Sequence, residues 1–478
     1  MNSLNTDLML VMPETMLLFA TTVILIIGLF AGRFSESLSY WLSLASLAGI
    51  FALIFNSSFS NETFAFDGMY VADNLAKTIK LLVCLTVAFV FIYARPYLAI
   101  RSCAKSEFYI LSLFATLGML IMASANNFVL IYLGLELLSL CLYALVAYVR
   151  DSDDASEAAI KYFVLGAIAS GILLYGMSIL YGISGTLSLV ELSNYLSGVD
   201  EISLPLIFAL SFIVVGVAFK FGAVPFHMWV PDVYQGAPTA ITLFISTAPK
   251  FAAFVMAIRL LSDGLQELAM DWQRMLMILA VLSLIFGNII AIAQSNIKRM
   301  LAYSTISHIG FVLLGLLSGD ELGYAAALFY TVIYVLMTAG AFGVLLILYS
   351  TEKEVEEIAD LKGLSKSNPW FALIMLLLMF SMTGVPLTVG FYAKLYILQS
   401  LIYNDMLWLA LLAIVMSIVG AYYYLRVVKQ MYFDEMEEKL SLQSSRLAQA
   451  ALTLNGVLVV ILFIFPNALL NYCIQAVS

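Results

Sequence analysis

Apolar residues recur along this chain in uninterrupted runs of about twenty, the length that carries an α-helix across a bilayer. Fourteen such segments are read, at roughly 9–31, 38–56, 74–94, 107–123, 128–149, 158–183, 203–224, 237–261, 275–295, 301–318, 323–349, 369–402, 406–433 and 447–472. The seventh and twelfth are irregular. The seventh runs into Val224-Pro225-Phe226-His227 and a short apolar stretch, and the twelfth is too long for one straight span and contains Thr383-Gly384-Val385-Pro386 and Gly390. Proline removes a backbone donor and glycine loosens the chain, so both segments are expected to break. The predicted fold is all-α, a polytopic helical membrane protein. A membrane barrel is excluded, because its strands alternate apolar and polar positions over about ten residues.

Composition agrees. Of 478 residues 63% are hydrophobic and 11% charged, and mean hydropathy is +1.01. That is too little polar surface to cover the several soluble domains such a length would form. A soluble enzyme, a nucleic-acid binder and a disordered chain are excluded. The polar stretches at 350–368 and 187–204, the latter with Glu191, Asp200 and Glu201, read as loops, so residues 1–478 form one membrane domain.

Charge placement orients the segments. Loops after odd-numbered segments carry Arg33, Arg95, Arg101, Lys105, Arg150, Lys298, Arg299, Lys353, Lys362, Lys366, Lys439 and Arg446; loops after even-numbered ones carry only Arg259 and Arg274. By the positive-inside rule the odd loops are cytoplasmic and both termini lie on the other side. No basic residue precedes Arg33, so the first segment is expected to stay as a span rather than act as a signal peptide. Segments 4–8 (about 107–261) and 9–13 (about 275–433) make two groups of five, each with its broken member fourth. An odd count per group inverts the second, and paired broken helices in inverted repeats point to an ion path near the bilayer midplane. Segments 1–3 (9–94) and 14 stand outside the groups.

The candidate chemistry is sparse. Cys84, Cys103, Cys141 and Cys473 form no CxxC pattern, the two histidines could hold one haem at most, and neither common nucleotide-binding glycine loop occurs. No cofactor, metal or ATP site is expected in this chain, so its energy must come from an ion gradient or a partner. Charges inside the segments are therefore the informative residues, since each costs about 2.5–3.5 kcal/mol at the bilayer centre on insertion scales. Glu136 lies mid-segment in Leu133-Gly134-Leu135-Glu136-Leu137-Leu138, as a proton carrier, a charge biasing a lysine, or a structural pair. Lys220 lies five residues before Pro225, Lys250 follows Pro249 near the centre of its segment, and Lys394 follows the break in the twelfth. Desolvation and a carboxylate partner tune a lysine in opposite directions, which suits a group that loads and releases protons. Lys161, with Glu157 four residues earlier, is also accounted for by a surface pair. Lys77 and Lys80, near Asp73, are read as snorkelling. His227 and His308 are candidate relays, the latter in the polar run Ser304-Thr305-Ile306-Ser307-His308.

The run Phe219-Lys220-Phe221-Gly222-Ala223-Val224-Pro225-Phe226-His227-Met228-Trp229-Val230-Pro231-Asp232-Val233-Tyr234-Gln235-Gly236-Ala237-Pro238 resembles the signature of the antiporter-like membrane subunits of respiratory complex I, the proton-pumping NADH–quinone oxidoreductase. So do Asn296-Ile297-Lys298-Arg299-Met300-Leu301-Ala302-Tyr303-Ser304 with Ser307-His308, and Gly384-Val385-Pro386 leading to Lys394. The resemblance covers essentially the whole chain. It implies fourteen helices with two inverted five-helix repeats, a bacterial inner membrane, and proton translocation driven by quinone reduction elsewhere. Carried over by position, Glu136 and Lys220 would be the ion pair of the proton channel, Lys250 the central relay and Lys394 the terminal group. Lys161, His227 and His308 match accessory polar positions. NAD, FMN, iron–sulfur clusters and quinone are expected in partner subunits. Pro249 beside Lys250 has no assigned counterpart.

Two other readings compete. A subunit of a multisubunit sodium/proton antiporter shares the fold and the lysines, but the run from Asp232 to Pro238 argues against it. A purely structural membrane subunit would not need the buried lysines.

Overall fold

Capping residues set many of the helix ends. Asp73, Asn127, Ser152, Asn296, Asp320 and Ser445 each accept a hydrogen bond from a backbone N–H in the first turn that follows. A computed structural model describes residues 7–57, 62–101, 103–199, 201, 203–349, 354–436, 440–442 and 444–478. Asp200, Lys353 and Lys439, and the side chain of Arg33, lie outside the described residues.

The helices are α1 (Met12–Phe30), α2 (Ser35–Asn56), α3 (Asn74–Ile100), α4 (Ser106–Ala123), α5 (Phe128–Val146), α6 (Asp153–Ser184), α7 (Leu189–Leu196), α8 (Leu204–Phe221), α9 (Trp229–Gly236), α10 (Thr239–Ser246) and α11 (Ala248–Ala257). A π-helical turn, Ile258–Gly264, continues α11. There follow α12 (Ala269–Ile292), α13 (Ile297–Leu316), α14 (Glu321–Ile347), α15 (Leu364–Ser367), α16 (Pro369–Thr383), α17 (Val389–Tyr403), α18 (Leu407–Tyr432), α19 (Arg446–Ile464) and α20 (Pro466–Val477). Two small antiparallel pairs join loops: Thr63–Ala65 with Tyr70–Ala72, and Leu348–Tyr349 with Ser441–Leu442. Among the described residues, thirteen helical stretches are long and apolar enough to cross a bilayer, and Pro369–Thr383 is a shorter apolar helix.

The fourteen expected segments all appear as helix, with four refinements. The twelfth is two helices, α16 and α17, separated at 384–388. The eighth also breaks, at Thr247 (φ −116°, ψ −91°), between α10 and α11, beside the proline flagged in the sequence. The third continues through Pro96 to Ile100, and the last is divided at Phe465. The stretch 187–204, expected as loop, contains α7. Its Ser188 accepts from Glu191 N, and Leu189, Leu192 and Leu196 bury one face. In 350–368, also expected as loop, the described part holds a 3-10 turn, Ile358–Leu361, and α15.

The two groups of five pack alike. α4 lies on α5 as α12 lies on α13; α6 packs on α8 as α14 packs on α16 and α17; α11 meets α4 as α18 meets α12. In each leading pair a glycine allows backbone approach. A Cβ at Gly118 would stand 2.6 Å from Gly134 O, and one at Gly287 would stand 2.7 Å from Ser307 N. The bundle interior is formed by α10, α11, α13 and α14, nearly all of whose residues are buried.

Candidate functional site

The seventh and twelfth segments, one in each group of five, are interrupted in the same way. α8 ends at Phe221 and Gly222 takes the left-handed conformation (φ 78°); α16 ends at Thr383 and Gly384 does the same (φ 87°). Gly222 N donates to Ala218 O and Ala223 N to that same carbonyl. Gly384 N and Val385 N share Phe380 O in the same pattern. Val-Pro then follows in both cases and prevents the helix from resuming. The last carbonyls of each broken helix are left without intrahelical donors at the negative end of the helix dipole, a position that favours a cation.

A lysine from another helix occupies each position. Lys250 Nζ donates to Phe221 O at 2.9 Å, and Lys394 Nζ donates to Thr383 O at 2.7 Å. Both carbonyls belong to the residue immediately before the left-handed glycine. Lys250 is 1% exposed and lies 5.7 Å from the centre of the Trp229 ring. Lys394 is half-buried, also donates to Ser417 Oγ at 2.6 Å, and lies 5.3 Å from the centre of the Phe311 ring.

Around the first break, Lys220 donates to Ser139 Oγ at 2.7 Å. A cavity of about 20 Å³ lies between Lys220 and Lys250, lined also by Ser139, Tyr162 and Trp229. One water molecule needs about 10–15 Å³ of such space. Glu136 is one helical turn before Ser139 on α5. The ion pair expected from the resemblance is not closed in this structure. Glu136 and Lys220 form no contact within 4.0 Å among the described residues, and Glu136 Oε1 is buried without a hydrogen-bond partner. The hydroxyl of Ser139, which the sequence reading did not single out, is what Lys220 holds.

Around the second break the groups are hydroxyls and a histidine. His308, 4% exposed, shares hydrogen bonds with Tyr330 OH (2.7 Å, Nδ1) and Tyr424 OH (3.0 Å, Nε2). Tyr424 OH also bonds Ser304 Oγ. Tyr334 OH joins Thr305 Oγ1 at 2.9 Å and donates to Ser246 O at 3.1 Å, at the end of α10 and beside the break before Lys250. The polar line therefore runs from the first break across α14 and α13 toward α18. Lys161 is outside this line. It is exposed, pairs with Glu157 at 2.8 Å as its spacing predicts, and reaches Asp232 at 3.0 Å, which Arg299 also pairs at 2.8 Å. Burial raises the Asp232 carboxyl, but the hydrogen bonds from Lys161 and Arg299 outweigh it and hold the group below the usual carboxylate range. His227 is half-buried in the turn between α8 and α9, its Nδ1 without a hydrogen-bond partner among the described residues.

The family model described as NADH:quinone oxidoreductase/Mrp antiporter, TM, matches residues 125–420, and the one described as NAD(P)H-quinone oxidoreductase subunit 2 N-terminal matches residues 3–92. The NADH-quinone oxidoreductase subunit N of Thioalkalivibrio sulfidiphilus is 55% identical over 99% of this chain and 98% of its own. This chain belongs to the subunit N family of NADH–quinone oxidoreductases. The subunit N of Thiobacillus denitrificans is 51% identical over 98% of the chain and 97% of its own. Among solved structures, a chain of respiratory complex I from Thermus thermophilus with bound aureothin superposes with a TM-score of 0.82 at 32% identity, covering 96% of this chain and 98% of that one. A chain of the Mrp complex from Dietzia gives 0.85 over 98% and 97% at 18% identity, a likeness of fold alone.

Sequence reasoning missed several buried charges of this subunit N family member. Lys80 does not snorkel. Its Nζ lies 2.5 Å from Glu14 Oε1 and donates to Tyr70 OH at 2.7 Å, a buried pair that ties α1 to α3. Lys77 donates to Ser57 O. Asp73 instead serves Arg259, whose Nη2 is 2.7 Å from it. Lys298, counted in the sequence as a loop charge, is buried at the start of α13 and donates to Ala237 O at 3.3 Å. The partners of Asp73 and Lys298 lie 186 and 61 positions away, which a single sequence does not reveal. The tyrosines carried a usable signal: Tyr330 and Tyr334 are four apart on α14 and face one side.

Proposed function

We propose that this subunit translocates protons through the line Lys220, Lys250, His308 and Lys394, with Glu136 biasing its first lysine, while quinone reduction elsewhere in the complex supplies the energy. The observation that carries the reading is the pair of equivalent bonds, Lys250 to Phe221 O and Lys394 to Thr383 O, each to the last residue of a broken helix. A cation held by a carbonyl at a helix C-terminus can give up its proton when that end shifts, because the same dipole that favours the charge is then removed. Lys220, 2.7 Å from Ser139 and facing the cavity shared with Lys250, is placed to pass a proton through one water. His227 and Lys161 are accessory groups on the cytoplasmic side.

On this reading the redox chemistry belongs to partner subunits. NADH, FMN, iron–sulfur clusters and the quinone site are assigned to them, and this chain contributes no redox centre. Its neighbours in the bilayer are other membrane subunits, and both termini face away from the cytoplasm. The test is Lys220→Ala in the assembled complex, read as dye-quench proton pumping and NADH oxidation in inverted membrane vesicles. Pumping is expected to fall strongly; full pumping by an assembled complex would remove Lys220 from the path.

A further inference from the structure

A cavity of about 190 Å³ lies between the first residues of α1, the end of α2 and the start of α3. These helices stand outside both groups of five. α1 and α2 each bury a single stripe of residues and leave the rest of their surface to the bilayer. The cavity wall is mainly apolar, with Met12, Pro13, Leu53 and Ile54. Met9 and Met12, which also line it, are 73% and 44% exposed, so it opens on the outside of the bundle. An apolar cavity of about 150 Å³ is already large enough to stay dry and take an apolar guest. Ser57, which caps α2, and Ala72, just before α3, line the cavity too. It therefore sits at the level of the helix ends, where acyl chains meet headgroups, on the side poor in loop lysine and arginine.

Tyr70, Lys77 and Lys80 add a polar edge. Lys80 is already neutralised, with its Nζ 2.5 Å from Glu14 Oε1 and bonded to Tyr70 OH at 2.7 Å. Asp73, four residues before Lys77, is taken by Arg259, whose Nη2 is 2.7 Å from it. Both neighbouring carboxylates thus serve other cations. Lys77 forms no ion pair among the described residues, and its ammonium donates to the carbonyl of Ser57. An ammonium has three donors, so it can hold a further acceptor beside that carbonyl.

We propose that this cavity binds one anionic phospholipid of the surrounding bilayer, with its phosphate on Lys77 and the first part of an acyl chain between α1 and α2. The apolar wall and the cation at its edge match the two halves of such a molecule, and the bilayer supplies it directly to the open side. A free phosphate would leave the apolar wall empty, and a wholly apolar guest would make no use of Lys77. The bound lipid joins α1 to α2 and α3 where their own side chains leave a void. The site is separate from the line of lysines.

The test uses the whole purified complex in vesicles of dioleoyl phosphatidylcholine. These contain a trace of a photoactivatable phospholipid with a diazirine near the ester of one acyl chain and either a phosphatidylglycerol or a phosphatidylcholine headgroup. NADH oxidation checks that each sample is assembled, and crosslinked peptides are located by mass spectrometry. The phosphatidylglycerol probe is expected to label 9–13 and 53–57 about fivefold more than the phosphatidylcholine probe, the scale of one lysine beside an anionic lipid. Phe19, 72% exposed farther along α1, should show no such preference. Lys77→Gln should remove the excess and Lys77→Arg, which keeps the charge, should retain it. Ile54→Trp, which fills the cavity, should lower labelling there by both probes. Equal labelling by the two probes at 9–13 and 53–57 overturns the proposal, since ordinary annular lipid then fills the groove. So does an excess that survives Lys77→Gln, or labelling that Ile54→Trp leaves unchanged in an assembled complex. Absence of labelling at these stretches while Phe19 is labelled also overturns it, because residues of the chain itself then occupy the cavity.

Discussion

The two broken helices share a backbone and differ in chemistry. In both, a left-handed glycine ends the helix, a Val-Pro pair completes within three residues of it, and a lysine from another helix caps the last carbonyl. Around the first break stand a second lysine and a carboxylate, Lys220 and Glu136. At the second, the lysine touches the hydroxyl of Ser417 and faces Phe311, one helical turn after His308, which is bonded to the hydroxyls of Tyr330 and Tyr424. The backbone device binds a cation in either setting, because the orphan carbonyl and the helix dipole are the same. What the neighbours change is the electrostatic bias. Charges near the first lysine can switch its proton affinity, whereas neutral hydroxyls near the second can only conduct.

The largest effects should come from removing the capped cations. Lys250→Met and Lys394→Met are each expected to lower pumping by roughly 100-fold, the scale on which positioned proton carriers act. The readout is dye quenching in vesicles holding equal amounts of assembled complex. If only one of the two loses pumping, the breaks are not equivalent. Next come the glycines. Gly222→Ala and Gly384→Ala force a side chain into the left-handed region, costing about 1–2 kcal/mol each, and thermal melting of the purified complex should fall for both. Only at Gly384 would the new Cβ meet the lysine, 2.9 Å from Lys394 Cδ, whereas at Gly222 it meets Val230. Gly384→Ala should therefore lose more pumping than stability alone accounts for.

Smaller again in its effect on pumping is Ser139→Ala, which takes away the side-chain partner of Lys220 and is expected to show as a shifted pH profile of pumping rather than as its loss. Unchanged profiles would show that water replaces the hydroxyl. The smallest effect is expected at the membrane edge. Asp232 is held below the usual carboxylate range, so the stability it adds is complete above its unfolded pKa of about 3.9 and lost as pH falls through the folded value. Asp232→Asn should melt slightly lower than wild type from pH 5 to 8, with the difference vanishing only in stronger acid.

Much of this was legible along the chain. The helices, the two breaks and the lysines beside them follow from run length, a glycine shortly before Val-Pro, and the rarity of charge in apolar segments. The break at Thr247 lies two residues before Pro249, which stands at the start of the next helix. The failures have a common form. Lys80 and Asp73 were read by their neighbours in sequence, but their partners are Glu14 and Arg259 on other helices. Helix α7 was passed over as loop because its eight residues are too short for a span and too polar to stand out.

Sequence alone determined that this chain crosses a membrane many times, where it breaks, and which residues are costly to bury. These are local properties: hydropathy over twenty residues, missing amide donors, and the transfer cost of one charge. Tertiary structure alone decided which carbonyl each lysine caps, that Lys220 rests on Ser139 rather than on Glu136, and that Arg259 pairs with Asp73 and Asp263. Those outcomes depend on where helices distant in sequence come together, and a charge in a bilayer takes whichever partner the packing brings within hydrogen-bond reach.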